Sequence, residues 1–151
     1  MKKKIVVLPG DGIGREVTAE GKRVLKAIAA DFGHTFEFPE GIIGHEAIEK
    51  TGSALPDDTL ALLRSADAIL FGAVGHPKYD NDPSLPVRPE QGLLKMRKEL
   101  GLYANLRPIK LFDELLGASS IKPEILRGSD ILFFRELTGD VYFGEKGKKE
   151  D

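Results

Sequence analysis

Cysteine is absent from the 151 residues, and so is tryptophan. Without a thiol there is no disulfide framework, no thiolate metal site and no cysteine nucleophile, so any catalysis must use other groups and a reducing compartment is the natural home. An excess of positive charge is missing too. The 22 Lys and Arg stand against 24 Asp and Glu, a formal net charge of −2, which excludes the basic footprint of a nucleic-acid binder. Nor is there a long apolar run. Met1-Lys2-Lys3-Lys4 followed by Ile5-Val6-Val7-Leu8 has the order of a signal peptide, but the apolar part stops at Pro9-Gly10, short of the roughly 7–15 residues required. No later stretch nears the roughly 20 residues that cross a bilayer. The expectation is a soluble, cytoplasmic chain with neither nucleic acid nor membrane as partner.

What is present reads as α/β. Residues 4–8 form a buried strand that enters a glycine-rich turn at 10–14, after which Val17, Val24, Leu25, Ile28 and Phe32 recur at helical spacing up to Gly33. Residues 34–38 suggest a half-buried strand carrying Phe36 and Phe38, and residues 46–50 a short helix. Pro56-Asp57-Asp58 has the proline and acids of a helix start, and Leu60, Leu62 and Leu63 supply its apolar face as far as Ala66. Residues 67–72 carry Ala68-Ile69-Leu70-Phe71 without polar alternation, as a strand covered by helices on both faces requires. Residues 75–89 hold Pro77, Pro83, Pro86 and Pro89, so no regular structure is expected there, and a loop this long is usually functional. A helix follows over 90–101, an extended stretch over 102–111, and a buried-strand run, Ile131-Leu132-Phe133-Phe134, within 129–137. The end, over 138–151, is strand-like at Val141-Tyr142-Phe143 and then highly charged.

Gly10-Asp11-Gly12-Ile13-Gly14 lies between a strand and a helix, where free backbone N–H groups and the helix dipole favour an anion. The third glycine of a dinucleotide fingerprint is Arg15 here, and no Gly-Lys-Ser/Thr ending makes a Walker loop. The turn is therefore either a tight structural turn or a ligand-contacting one of another kind. Glu90, Leu93, Leu94 and Arg97 share one helical face, a mixed stripe open to a core-facing or a functional reading. Arg107 lies in one extended stretch and Arg135 ends another. An arginine closing a buried strand needs a partner, either an internal acid such as Glu136 or a ligand carboxylate. Its planar fork suits carboxylates, so Arg97, Arg107 and Arg135 could form a dicarboxylate clamp. Tyr142 is a packed aromatic or a phenolic proton donor. The three histidines, His34, His45 and His76, lack metal-ligand spacing, lie near turns and are read as solvated.

Leu8-Pro9-Gly10-Asp11-Gly12-Ile13-Gly14-Arg15-Glu16-Val17, Arg88-Pro89-Glu90-Gln91-Gly92-Leu93-Leu94, Leu102-Tyr103-Ala104-Asn105-Leu106-Arg107-Pro108, Arg135-Glu136-Leu137-Thr138-Gly139 and Tyr142-Phe143-Gly144-Glu145 together resemble the β-decarboxylating dehydrogenase family. Five motifs in family order, covering essentially the whole chain, make the resemblance specific. It implies an isopropylmalate/isocitrate dehydrogenase-like sheet with flanking helices that binds NAD without the Rossmann motif. The implied reaction is oxidation of a 2-hydroxy acid by NAD or NADP followed by loss of its β-carboxylate, with Mg²⁺ or Mn²⁺ polarising the substrate oxygens.

By the same resemblance Arg97, Arg107 and Arg135 hold substrate carboxylates, Tyr142 helps to protonate the enol left by decarboxylation, and Glu90 lies near nicotinamide and substrate. Leu93 and Leu94 match an apolar pocket for an isopropyl group. Such a pocket would leave the extra carboxylate of isocitrate unpaired, which points to 3-isopropylmalate and leucine biosynthesis. Gly12 and Ile13 of the turn, with Gly72, Ala73, Val74 and Gly75, match segments lining the cofactor cleft. Gly75-His76-Pro77-Lys78-Tyr79-Asp80 departs at His76 and Tyr79 from the more usual Gly-Gly-Pro-Lys-Trp-Asp.

Family members are more than twice as long. The resemblance therefore implies that residues 1–101 are the first half of domain one, that 102–151 begin a truncated domain two concerned with substrate and dimerisation, and that the complete form is a homodimer. The catalytic lysine, the metal-binding aspartates and the adenosine segment match nothing before Asp151, so no metal ligand is assigned in this chain, and the 151 residues alone are expected to be inactive. The alternatives are a tartrate/malate-type or homoisocitrate-type relative, and a non-catalytic fragment that binds an anion or self-associates.

Overall fold

The computed structural model describes residues 1–80, 82, 84–137 and 139. They fall into two compact units, Met1–Leu100 and Gly101–Asp151.

The first unit is built on a parallel sheet of order β2-β1-β3. Strand β1 (Lys2–Gly10) is buried from Ile5 to Leu8, because it has a neighbour along each edge. Its first residues pair with β2 (Thr35–Glu37), starting at Lys2↔Thr35, and the rest pair with β3 (Ala68–Ala73), from Ile5↔Ala68 to Gly10↔Ala73. The chain leaves β1 for β2 through α1 (Gly14–Asp31) and returns past β1 to β3 through α2 (His45–Thr51) and α3 (Asp57–Arg64). The strand order thus reverses beside β1, and in open α/β sheets the crevice outside the carboxyl ends of the strands at such a reversal is where ligands bind.

Helix α1 forms where the spacing places it, but it packs by a different face. Gly14, Thr18 and Ala29 are buried, and Gly21 lies opposite the Leu70 methyls, whereas Val17, Val24, Ile28 and Phe32 are exposed. Small residues let the helix approach the sheet closely, and that packing outweighs the bulk of the neighbouring stripe. On the other face Val6 and Leu8 pack with Ile43, Leu55, Leu60, Leu63 and Met96, the last from α5 (Pro89–Glu99). Burying each large aliphatic contributes roughly 1.5–3 kcal/mol. Gly92 admits α5 to this core, since any Cβ there would run into the backbone of Ala54.

Three further expectations need correction. Strand β3 is half-buried rather than fully covered, because among the described residues it has a strand on one edge only. The proline-rich loop contains a helical turn, α4 (Pro77–Asp80). Proline's fixed φ suits a first turn, the Tyr79 N–H donates to the His76 carbonyl at 2.9 Å, and the Lys78 N–H donates to His76 Nδ1 at 3.2 Å. The third correction lies in the second unit.

That unit is an antiparallel ribbon of β4 (Ala104–Lys110) and β5 (Asp130–Glu136), in register from Ala104↔Glu136 to Lys110↔Asp130. A 3-10 turn (Asp113–Ala118) and α6 (Pro123–Leu126) connect the strands. The run Ile131-Leu132-Phe133-Phe134 is exposed, Phe134 by 70%, not buried. A two-stranded ribbon has two faces and, among the described residues, no third strand. In neither unit is a described helix long and apolar enough to cross a membrane.

Candidate functional site

The carboxyl ends of β1 and β3 meet backbone to backbone. A Cβ on Gly10 would strike the Ala73 carbonyl, one on Gly14 would strike Pro9, and one on Gly72 would lie 2.8 Å from the Gly14 carbonyl oxygen. These three glycines therefore serve close packing and leave no room for a ligand between the segments. Gly12 differs: it has φ +52° and nothing within 4 Å of where a Cβ would stand, and beside it Ile13 is 60% exposed. The open surface of the turn is its tip.

The start of α1 is not a free anion cradle. Gly14, Arg15 and Glu16 N–H groups donate to the carbonyls of Asp11, Gly12 and Ile13, so the donors suggested by the sequence are taken up by the turn itself. What the turn exposes here is the apolar Ile13 side chain and the bare backbone of Gly12.

Asp11 joins this turn to two other segments. Its N–H donates to the Ala73 carbonyl at 2.7 Å. Its carboxylate accepts the Gly75 N–H at 3.0 Å and the His45 N–H at 2.9 and 3.0 Å. Gly44 stands so near that a Cβ would run into the carboxylate, and Asp11 is only 6% exposed.

A second clasp follows immediately. The imidazoles of His45 and His76 stack at 3.9 Å between centroids, and the buried Tyr79 hydroxyl lies 3.1 Å from His45 Nδ1. Lys78 pairs with Glu49 at 2.6 Å, and the ammonium bonded to it holds the Glu49 carboxyl below its usual range. Arg88 closes the far end by donating to the carbonyls of Tyr79 (2.7 Å) and Asp82 (2.9 Å). The loop after β3 is thus pinned to α2 at one end and to the start of α5 at the other. The histidines are not solvated as expected: His45 and His76 are half-buried in this stack, and His34 lies half-buried between Phe32 and Phe36. Sequence reasoning gave Asp11 and Arg88 no individual role, read His45 as solvated and noted Tyr79 only as a departure from the family loop. The available signal was His76 and Tyr79, the two departures from the family loop, both of which touch His45.

The structure brings Gly12 and Ile13 beside residues 72–75, and it brings Glu90 to the same corner, its Oε1 3.5 Å from where a Cβ on Gly75 would stand. Leu94 and Arg97 continue one line along α5 from Glu90, both half-buried, while Leu93 packs partly against the core. Arg107 and Arg135 belong to the second unit. The pairs Asn105↔Arg135 and Arg107↔Phe133 make them diagonal neighbours on one face of the ribbon. Since β5 is exposed, the cost of a buried charge no longer bears on Arg135. Tyr142 lies outside the described residues.

Among the described residues no group of three His, Asp or Glu could hold a metal ion. A groove of the first unit, about 620 Å³, runs along α1 between Arg15, Lys22 and Lys26 and residues 40–43. It touches the glycine turn only at Gly10. We place the candidate site at the strand ends instead, where the reversal of strand order, the open Gly12 and Glu90 coincide, because the cations of the groove are largely paired, Arg15 with Glu46 and Lys22 with Glu40.

Residues 4–151 match the family model for isocitrate/isopropylmalate dehydrogenase. The 3-isopropylmalate dehydrogenase of Rhodopirellula baltica is 60% identical over 147 residues, covering 97% of this chain and 41% of that protein. The enzyme of the same name from Shouchella clausii is 58% identical over 146 residues, or 96% and 40%. This chain therefore spans about two fifths of the length of these relatives. Among solved structures, an apo β-decarboxylating dehydrogenase from Thermococcus kodakarensis superposes with a TM-score of 0.62 at 38% identity, over 89% of this chain and 33% of the other. Isocitrate dehydrogenase from Methylococcus capsulatus superposes at 0.70 with 28% identity, over 95% and 37%.

Proposed function

This chain belongs to the isocitrate/isopropylmalate dehydrogenase family, and from that premise we propose that it is the amino-terminal part of an NAD-dependent enzyme that oxidatively decarboxylates 3-isopropylmalate. In this reading the complete protein is a cytoplasmic homodimer of leucine biosynthesis. Residues 1–101 supply half of its first domain and 102–151 begin its second.

The observation that carries the substrate assignment is the line along α5. Glu90 reaches the strand-end corner, Arg97 follows two turns later, and Leu94 lies on the same line between them, with Leu93 beside it and partly packed against the core. An isopropyl group meets Leu93 and Leu94 without loss. A carboxylate in its place would be desolvated without a partner, which supports rejection of isocitrate. The names of the relatives point the same way.

NAD would supply the acceptor for the hydride lost from the hydroxyl carbon. The residues of this chain hold and orient the reactants, since hydride transfer requires close and aligned partners. Gly12 and Ile13 offer an open, partly apolar surface suited to a ring face of the cofactor, with residues 72–75 as the adjoining wall. Arg97, Arg107 and Arg135 take the substrate carboxylates through their planar forks, and Tyr142 is proposed to deliver the proton to the enol. A divalent metal finds no ligand set among the described residues, so its ligands are proposed to come from the remainder of the protein. The relatives' names do not favour the tartrate/malate-type, homoisocitrate-type and non-catalytic readings.

The test is a substrate panel on the complete enzyme. NADH formation with 3-isopropylmalate, at a kcat/KM at least tenfold above that for D-malate, isocitrate or homoisocitrate, is expected on the basis of one mismatched polar or apolar contact. Preference for any of the other three would sink the assignment.

A further inference from the structure

We propose that Asp11 is a positioning residue that sets the spacing between the glycine turn and the end of β3, and through it the affinity for the dinucleotide. The proposal rests on the cofactor assignment just made.

Asp11 grips the outgoing end of β3 twice, by its own N–H on the Ala73 carbonyl and by its carboxylate on the Gly75 N–H. Gly75 has φ +137°, a conformation that L side chains rarely adopt, and in it the amide faces the acid. The same carboxylate receives the N–H of His45, the first residue of α2, on both oxygens. A single buried acid thereby ties together three segments far apart in sequence. Immediately after it come Gly12 and Ile13, the open tip of the turn, and beyond Gly75 come His76 and Tyr79, which repeat the tie to α2 through His45.

Only an acceptor satisfies this position. Each partner of the carboxylate is an N–H donor, and hydrogen bonds to a carboxylate are roughly twice as strong as neutral ones. The Gly44 backbone closes the space beyond the carboxylate, which leaves no room for the extra methylene of Glu. An Asn would turn an amide NH₂ toward at least one donor and release either Gly75 or His45. Losing the hold on Gly75 lets the 72–75 wall drift from Gly12, which degrades a surface contacted by the cofactor and leaves α5 and its arginine in place.

The experiment compares wild type, Asp11→Asn and Asp11→Ser in the complete enzyme, below the unfolding temperature of all three, with steady-state kinetics and calorimetric binding of NAD. The expected result is a rise of about tenfold in both KM and Kd for NAD, with KM for 3-isopropylmalate and kcat within about threefold. A purely structural acid would alter stability and leave the two KM values in their original ratio, and that outcome overturns the proposal. Failure of both variants to fold assigns Asp11 to stability alone and overturns it as well. A wild-type enzyme that neither binds NAD nor forms NADH would show that the functional reading itself had failed, whereas an active wild type with unchanged variants would show that only this proposal had.

Discussion

Gly72 and Gly14 pack backbone against backbone, so that a Cβ on Gly72 would stand 2.8 Å from the Gly14 carbonyl oxygen and 2.9 Å from its Cα. The end of β3 and the start of α1 are thereby held at a separation that no side chain could bridge.

Gly72→Ala is expected to destabilise the protein by about 1–3 kcal/mol or more, since the obstruction is backbone and cannot swing aside. Gly21→Ala is expected to do the opposite. Its Cβ would meet the Leu70 methyls at an ordinary 3.5 Å and would remove a helix-interior glycine, for a gain of about 0.5–1 kcal/mol. Urea midpoints at constant m-value read both, and equal signs would refute the packing argument.

Tyr79→Phe removes the hydroxyl that meets His45 Nδ1 at 3.1 Å and keeps the buried ring. A cost of about 0.5–1.5 kcal/mol is expected, together with a shift of the His45 imidazole ¹⁵N resonances. An unmoved His45 spectrum would mean the clasp does not depend on this bond.

Asp67 ties the amino terminus to the sheet. Its carboxylate takes Lys3 Nζ at 2.7 Å and the Lys4 N–H at 2.8 Å, and the Lys3 ammonium foremost, then the Lys4 amide, hold its pKa below the usual value. A carboxyl whose folded pKa is depressed stabilises the fold above its unfolded value, near pH 4, and loses that contribution as pH falls through the folded value. Asp67→Asn should therefore be less stable than wild type at pH 7, and the gap should narrow below about pH 4. Denaturant midpoints across pH 2–7 would show it, and a gap independent of pH would rule out the linkage.

Arg107→Lys tests the fork rather than the charge. Loss of one charge-assisted hydrogen bond, about 1.5–3 kcal/mol, predicts a rise of roughly 10- to 150-fold in KM for 3-isopropylmalate in the complete enzyme. KM for NAD should change little. An unchanged KM for the substrate would remove Arg107 from the proposed clamp.

The sequence by itself determined the α/β order, because strands and helices declare themselves through local rules: the apolar run of β1, the proline and acids that open α3, the proline that opens α5. It also determined membership of the family, through motifs that lie contiguous in the chain. It did not determine which face of α1 packs, because close approach favours Gly14, Thr18, Gly21 and Ala29 over the bulkier stripe beside them. Nor did it determine the exposure of β5, because burial depends on what covers a ribbon and not on how apolar its residues are. The role of Asp11 was equally hidden, since its partners Ala73, Gly75 and His45 offer backbone groups that carry no side-chain signature. Those contacts join residues far apart in the chain, and only the folded arrangement of β1, β3 and α2 brings the N–H groups of Gly75 and His45 to one carboxylate and the Ala73 carbonyl to the Asp11 N–H.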